Sequence, residues 1–366
     1  MSNVSNRLLS LDVMRGLIMI LLAADSALVY AHIRGLTTEN SIAEAIISQF
    51  THHEWHGLLF WDLVQPAFMF MAGSALYISY KNKLAKGISW RQNLKHILSR
   101  CFKLFVCGVA LHCVYAGQLV WELWNVLVQL ALTTIIAYMI INRSMLWQLM
   151  FSIFLLVLTE VLYRYTNVQG FDQPFVITKN FGAYVDLLLM NKINDGGWAT
   201  INFIPTAAHT IWGCIAGRFI TSGFSNNKIL RTLILAGVVM LLVGYAMDFT
   251  ITPIIKRIST SSFVVVSGGY VVLLLALLYF IYDVKKYNKH AWIFTVVGMN
   301  AIFLYLFFET VSRQWLNRTM SVFVESSLSL IGIGEQWTGL LSSLCTLGFL
   351  WYLCYWLYTK KIFFKL

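Results

Sequence analysis

His52, His53, Glu54, His56 and Asp62 fall within one short stretch, Thr51-His52-His53-Glu54-Trp55-His56-Gly57 followed by Trp61-Asp62-Leu63-Val64-Gln65-Pro66. Histidine is the side chain whose ordinary pKa suits proton transfer near neutral pH. Asp62 lies about a turn inside an apolar segment, where a carboxylate is costly unless it is paired or faces a wet cavity. Position alone makes it a functional candidate. The structural alternative is a helix cap or a pairing with a loop histidine. A metal held by His52, His53 and His56 is not expected, because loop spacing fixes no coordination geometry.

Further polar residues interrupt apolar segments: Asp25, Gln129, His209, Asn300 and Glu309. Each alone reads as a helix-to-helix hydrogen bond worth about 1 kcal/mol. Together they suggest a polar interior path. Asp248 and Glu160 lie near the ends of apolar segments, where a solvated face is the plainer reading. Trp55 and Trp198 are candidates for stacking on a sugar, while most other Trp and Tyr residues read as an interfacial belt. Arg15, Arg100 and Lys103 stand at the starts of apolar segments. An arginine at such a boundary can hold phosphate bidentately.

The elements that must position these residues follow from composition. The chain has 366 residues, of which 58% are hydrophobic and 12% charged, with a mean hydropathy of +0.70. A soluble domain carries about a quarter charged residues, so this chain has too little charge to cover a soluble surface. Apolar stretches of about 20 residues, the length that crosses a bilayer core, recur from end to end. No hydrophilic stretch is long enough for a separate soluble domain. The net charge of +11 does not point to nucleic acid, since the charges lie in short loops between apolar segments. The six cysteines lack paired CxxC spacing, which argues against both a disulfide framework and a zinc site. The expected fold is an all-α polytopic membrane bundle of about ten helices, near residues 16–32, 58–80, 97–116, 123–141, 147–162, 201–220, 229–247, 262–282, 293–311 and 339–358. With the N-terminus inside, 19 of the 27 Lys and Arg fall on the inner side, which predicts both termini inside. Two outer segments, 34–57 and 163–200, exceed what a turn needs and read as a substrate mouth.

The ordered motifs of the chain are similar to a known family. The run Arg7-Leu8-Leu9-Ser10-Leu11-Asp12-Val13-Met14-Arg15-Gly16 resembles the opening motif of the heparan-α-glucosaminide N-acetyltransferases and their bacterial relatives. The segment from His52 through Trp55, Gly57, Asp62, Pro66 and Phe68 to Gly73 resembles that family's histidine loop and following helix. Arg100 with Gly108, Tyr184-Val185-Asp186, Thr200-Ile201-Asn202, Gly213 with Gly217, Gly298-Met299-Asn300 and the terminal 360–365 run also fit. There are departures. Asp25-Ser26 stands where the family commonly has Asn, Val128-Gln129-Leu130 replaces a Leu-Gln-Arg run, and the animal enzyme's lumenal domain is absent.

The resemblance implies a single transmembrane acyltransferase domain over 1–366 that moves acetyl from cytoplasmic acetyl-CoA to an amino sugar presented outside. The matching essential histidine is His52, the general base or transient acetyl carrier. Asp62 would orient it, and Asn300 or Asn202 would donate to the oxyanion. Arg15, Arg100, Lys103 and Arg218 would hold the CoA phosphates, and Asp25, Glu54, Trp55 and Asn202 would contact the sugar. No resident metal is expected. The expected location is a bacterial inner membrane, with a homodimer left open. Two other readings stand beside this one: an O-acyltransferase of a surface polysaccharide, and an amino-sugar transporter, against which the lack of an internal repeat counts.

Overall fold

The structure, a computed structural model, describes residues 8–364. Arg7 and Lys365, which end two of the motifs above, lie outside the described residues. The described chain is helical, and its one β-type pairing is an isolated antiparallel bridge between His56 and Ile255. It divides into two compact units. One comprises the described parts of Met1–Thr51, Leu59–Trp61 and Leu278–Leu366, and the other His52–Leu58 and Asp62–Leu277.

The first unit holds α1 (Leu9–Ser26), α2 (Val29–Gly35) and α3 (Ile42–Ser48), followed late in the chain by α12 (Ala291–Met299), α13 (Ala301–Phe307), α14 (Asn317–Ser329) and α15 (Glu335–Thr359). The Asp283 carboxylate accepts the Leu9 and Ser10 amides at 3.1 Å each. That satisfies donors which the start of α1 leaves without helical partners. Gly16 of α1 faces the Phe294 carbonyl, and Gly298 of α12 faces the Asp12 carbonyl. The two backbones meet where only glycine leaves room. Asn300 interrupts the next helix, which bends by 72° there.

The second unit holds α4 (Val64–Ala85), α5 (Trp90–Ala116), α6 (Val126–Met139), α7 (Met145–Tyr165), α8 (Phe181–Met190), α9 (Phe203–Ile220), α10 (Asn226–Thr250) and most of α11 (Ser261–Leu278). Ser89, Asn125, Ser144, Asn180 and Ser225 cap α5, α6, α7, α8 and α10 through their side chains, as these residue types do at helix starts. Helices α4 and α9 form its centre. Gly213 lies against the Phe70 carbonyl, and Gly73 against that of Thr210. The Ser74 hydroxyl donates to the Gly213 carbonyl at 2.9 Å.

Among the described residues, five helices are long and apolar enough to cross a membrane (α5, α7, α10, α15, and α11 extended to Val284), or up to seven if the bent pairs α1–α2 and α12 with Ala301–Ser329 each count as one span. The expected count of about ten is larger. A helix stands at every expected segment, but α4, α6 and α9 fall outside this criterion. Helix α6 has 14 residues, about 21 Å, which is short of a hydrocarbon core. Helices α4 and α9 bury much of their surface against protein and so carry polar residues that lipid would not tolerate.

The contact between α4 and α9 sets the first expectation. Gly213→Val forces a side chain into the Phe70 carbonyl and should cost roughly 1–3 kcal/mol or more, read as a lower thermal midpoint in detergent. Gly35→Ala, at a position with open space around its Cβ, should leave the midpoint unchanged.

Candidate active site

The histidine loop and Asp62 both belong to the second unit. Asp62 sits in the short helical turn Phe60–Leu63 ahead of α4 and is fully buried. Its Oδ1 lies 3.0 Å from Nδ1 of His52, and its Oδ2 accepts the His53 amide at 3.3 Å. The third member is Lys256, from the connection between α10 and α11. Its Nζ stands 2.8 Å from His52 Nδ1 and 3.2 Å from Asp62 Oδ1. Lys256 is 5% exposed, while 43% of the His52 side chain is exposed. The imidazole thus turns one nitrogen inward to a carboxylate and an ammonium and keeps accessible surface on the rest of its ring. Trp198 borders the group, with its ring edge-on to His52 at 5.8 Å and the Lys256 ammonium 5.4 Å from its centroid.

Two backbone ties hold Lys256 in place. The Gly57 amide donates to the Ile254 carbonyl at 2.9 Å, beside the bridge that joins His56 to Ile255. Asp248 accepts from both the Ile254 amide at 2.7 Å and His56 Nε2 at 2.9 Å. Gly57 has φ +144°, and a Cβ there would strike the His53 ring, so the turn needs glycine. Arg257 donates to the Gly196 carbonyl at 2.6 Å, and the Arg257 carbonyl accepts Asn202 Nδ2 at 2.6 Å. Asp186 accepts from Trp124 Nε1 at 2.7 Å and from the Thr200 amide at 2.9 Å. The 184–186 and 200–202 motifs are therefore one tie, which fixes the segment that carries Trp198.

Burial pushes the Lys256 ammonium down from its ordinary value to about 8, with the adjacent Asp62 carboxylate offsetting part of the drop and Arg257 adding to it. A carboxylate this deeply buried stays ionised only when cations or donors surround it. Such a group can accept, orient and release a proton at an exposed histidine.

The remaining sequence candidates fall elsewhere. Glu54 is exposed. Trp55 is half-buried and donates to the Phe175 carbonyl at 2.7 Å, so its indole nitrogen is already engaged. Asn202 is buried against the Arg257 loop, and its Oδ1 has no partner. Asn300 and Asp25 belong to the first unit. Asn300 accepts the Phe364 amide at 3.0 Å and donates to the Ile362 carbonyl at 3.1 Å, so both ends of its amide hold the chain end. Asp25 pairs with Arg313 at 3.0 Å beside a cavity of about 670 Å³ lined also by His32, Asn317, Arg318 and Glu325. Arg15, in the first unit, lies 3.7 Å from Asp12. Arg100 and Lys103 are exposed on α5. Arg218 donates to the Arg143 carbonyl at 2.6 Å. The polar residues read as an interior path are engaged locally: Gln129 with Gln65, His209 with Ser267 and the Val264 carbonyl, and Glu309 with Arg313. Among the described residues no cluster of His, Cys, Asp and Glu has a metal-holding arrangement.

Lys256 escaped the sequence reading, which counted it only as an outer loop charge. Its surroundings, Ile251-Thr252-Pro253-Ile254-Ile255-Lys256-Arg257-Ile258, carried the signal. A connection that apolar packs inward, and a lysine within it is drawn along.

The described chain is all-α with several helices long and apolar enough to cross a membrane, and in its second unit a half-exposed histidine stands against a buried carboxylate. The family model for the heparan-alpha-glucosaminide N-acetyltransferase catalytic region matches residues 7–245, and the chain belongs to that family of membrane acetyltransferases of amino sugars, which take acetyl from acetyl-CoA. A comparison with curated proteins gives no match. The matched span includes His52 and Asp62 and stops short of Lys256.

The ties of the Lys256 loop give the second expectation. Asp248→Ala removes the acceptor shared by His56 and Ile254, costing about 1–2 kcal/mol. Amide hydrogen exchange should rise across residues 252–260 and stay unchanged in α4. Unaltered exchange there would mean that the backbone pairing alone holds the loop.

Proposed function

We propose that this protein moves an acetyl group from cytoplasmic acetyl-CoA to the amine of a glucosamine-type sugar on the outer side of a bacterial cytoplasmic membrane. Family membership supports the reaction class. The observation that carries the assignment to a site is the buried Asp62 carboxylate 3.0 Å from Nδ1 of a half-exposed His52. We take α4, α6 and α9 as crossing with the five long helices and the two bent pairs. That gives about ten spans and, with the Lys/Arg bias, both termini inside.

In this reading His52 takes the amine proton through Nε2 as the nitrogen attacks the thioester carbonyl. A C–N bond forms and the C–S bond breaks. The proton on His52 then passes to the departing thiolate, leaving N-acetyl sugar and CoA. Asp62 holds the ring by Nδ1 and stabilises the imidazolium, the role a carboxylate has in a hydrolase triad. Asn202, one of whose amide N–H groups donates to the Arg257 carbonyl, has its second N–H as the candidate donor to the oxyanion. Asn300, whose amide is engaged by the chain end, serves as a support. The CoA phosphates remain on the cytoplasmic side, because unpaired charge in hydrocarbon is prohibitive. Their candidate partners are Arg100, Lys103 and Arg218 in the second unit and Arg15 in the first, each to be read by itself.

Purified protein with acetyl-CoA and glucosamine, followed by mass spectrometry, should give N-acetylglucosamine. His52→Ala should abolish the product while the protein stays folded, and normal turnover by that variant would sink the assignment. Asp62→Asn should lower kcat by about 10²-fold with the acetyl-CoA KM little changed. Arg100→Ala should do the reverse, raising that KM with kcat retained. Product acetylated at a hydroxyl instead would make a surface polysaccharide the better acceptor.

A further inference from the structure

Deepening the proposed function at the same site, we propose that Lys256 is the positioning residue that keeps His52 a neutral base: its ammonium cancels the Asp62 charge, so the imidazole rests without a second proton. The inference rests on three contacts that close on one another. Lys256 Nζ lies 2.8 Å from His52 Nδ1, Lys256 Nζ lies 3.2 Å from Asp62 Oδ1, and His52 Nδ1 lies 3.0 Å from the same oxygen.

A carboxylate alone at hydrogen-bond distance favours the charged form of a neighbouring imidazole and raises its pKa by about one to three units. A fully buried carboxylate does so strongly, since little water screens it. His52 beside Asp62 alone would rest as an imidazolium with both nitrogens protonated and would have no lone pair for a substrate amine. A cation beside the same carboxylate acts in the opposite direction: the ammonium and Nδ1–H both donate to Asp62 Oδ1, so Nε2 keeps its lone pair. With Lys256 charged, the buried pair is neutral before His52 gains anything, and a second proton on the ring would add an unbalanced positive charge beside the ammonium. Among the charged groups that bear on the cluster are Asp62 from the turn before α4, Lys256 itself and Arg257 beside it. The segment before α9 contributes the uncharged Trp198. At neutral pH Lys256 is mostly ammonium, since it is pushed down only to about 8. Trp198 and the ties through Ile254, His56 and Gly196 hold the ammonium where this balance needs it.

Lysine here therefore does something other than fill space or support the loop. A structural role predicts that its loss lowers activity at every pH. The charge-balance role predicts that its loss moves the pH at which His52 discharges.

The test uses the whole protein in detergent and diethyl pyrocarbonate, which acylates an imidazole only in its neutral form. Peptide mass spectrometry reads the pH midpoint of His52 modification, independently of any transfer activity. Lys256→Met should raise that midpoint by roughly one pH unit or more, and Lys256→Arg should leave it near the wild-type value. Asp62→Asn removes the anion and keeps the cation, so it should lower the midpoint. It keeps the inference testable should Lys256→Met fail to fold. The acid limb of kcat/KM should follow the same order, with Lys256→Met weak at pH 7 and recovering at higher pH. One midpoint shared by wild type, Lys256→Met and Asp62→Asn would overturn the inference. Midpoints that shift as expected in a wild type without acetyl transfer would uphold it and overturn the proposed reaction instead.

Discussion

The second unit is organised around the cost of burying Asp62. A carboxylate with no exposed surface cannot remain ionised in an apolar setting unless cations and donors replace the water it has lost. One donor is local, the His53 amide, and comes from the turn that Gly57 permits. The other two partners must be brought in: His52 from the loop before the turn, and Lys256 from a connection far along the chain. Much of the loop architecture of this unit serves that delivery. The bridge from His56 to Ile255, the shared acceptor Asp248, and the links from Arg257 to Gly196 and Asn202 all position one ammonium.

A buried ion pair is weak evidence of stability, because desolvation takes back most of the attraction. Hydrophobic side chains of similar size would hold α4 against the 252–260 connection with less cost. The group is better understood through the half-exposed imidazole that it touches. A charge-balanced carboxylate and ammonium beneath a histidine fix its orientation and its protonation together, and a purely apolar floor does neither.

The histidine loop, Asp62 and the helical segments were legible in the sequence because each leaves a local mark. Polar residues inside apolar runs are conspicuous, and apolar runs of about twenty residues announce helices. A contact between residues distant in the chain leaves no such mark, and Lys256 is the clearest case. Read alone, it was a loop cation. Asn300 and Trp55 show the opposite difficulty: each read as a candidate from its place in the sequence, and each proves to have its hydrogen-bonding capacity taken up by backbone, Ile362 and Phe364 for one and Phe175 for the other. Sequence pattern finds buried polar groups but does not say whether a substrate or the chain itself satisfies them. The broken helices account for part of the lower span count, the difference between five and seven, and α4, α6 and α9 for the rest. Helix ends at Leu28 and Asn300 bend the chain without changing its hydropathy.

The motifs that carry the family resemblance accordingly separate into two kinds. Gly73, Gly213 and Gly217 allow α4 and α9 to touch backbone to backbone, Gly16 and Gly298 do the same for α1 and α12, and Asp186 with Thr200 ties a loop. These preserve a fold. His52 and Asp62 are the pair to which we assign the chemistry. Lys256 belongs with the second kind although the family match ends before it, and its residue type carries the argument further. Arginine at this place would be a permanent cation with a broad fork of donors, whereas a buried lysine is a compact charge whose proton can leave near neutral pH. The three groups lie within hydrogen-bond distance of one another, so a charge on any one of them bears on the other two. A base built this way draws its readiness from the charge balance beneath it as much as from its own ring.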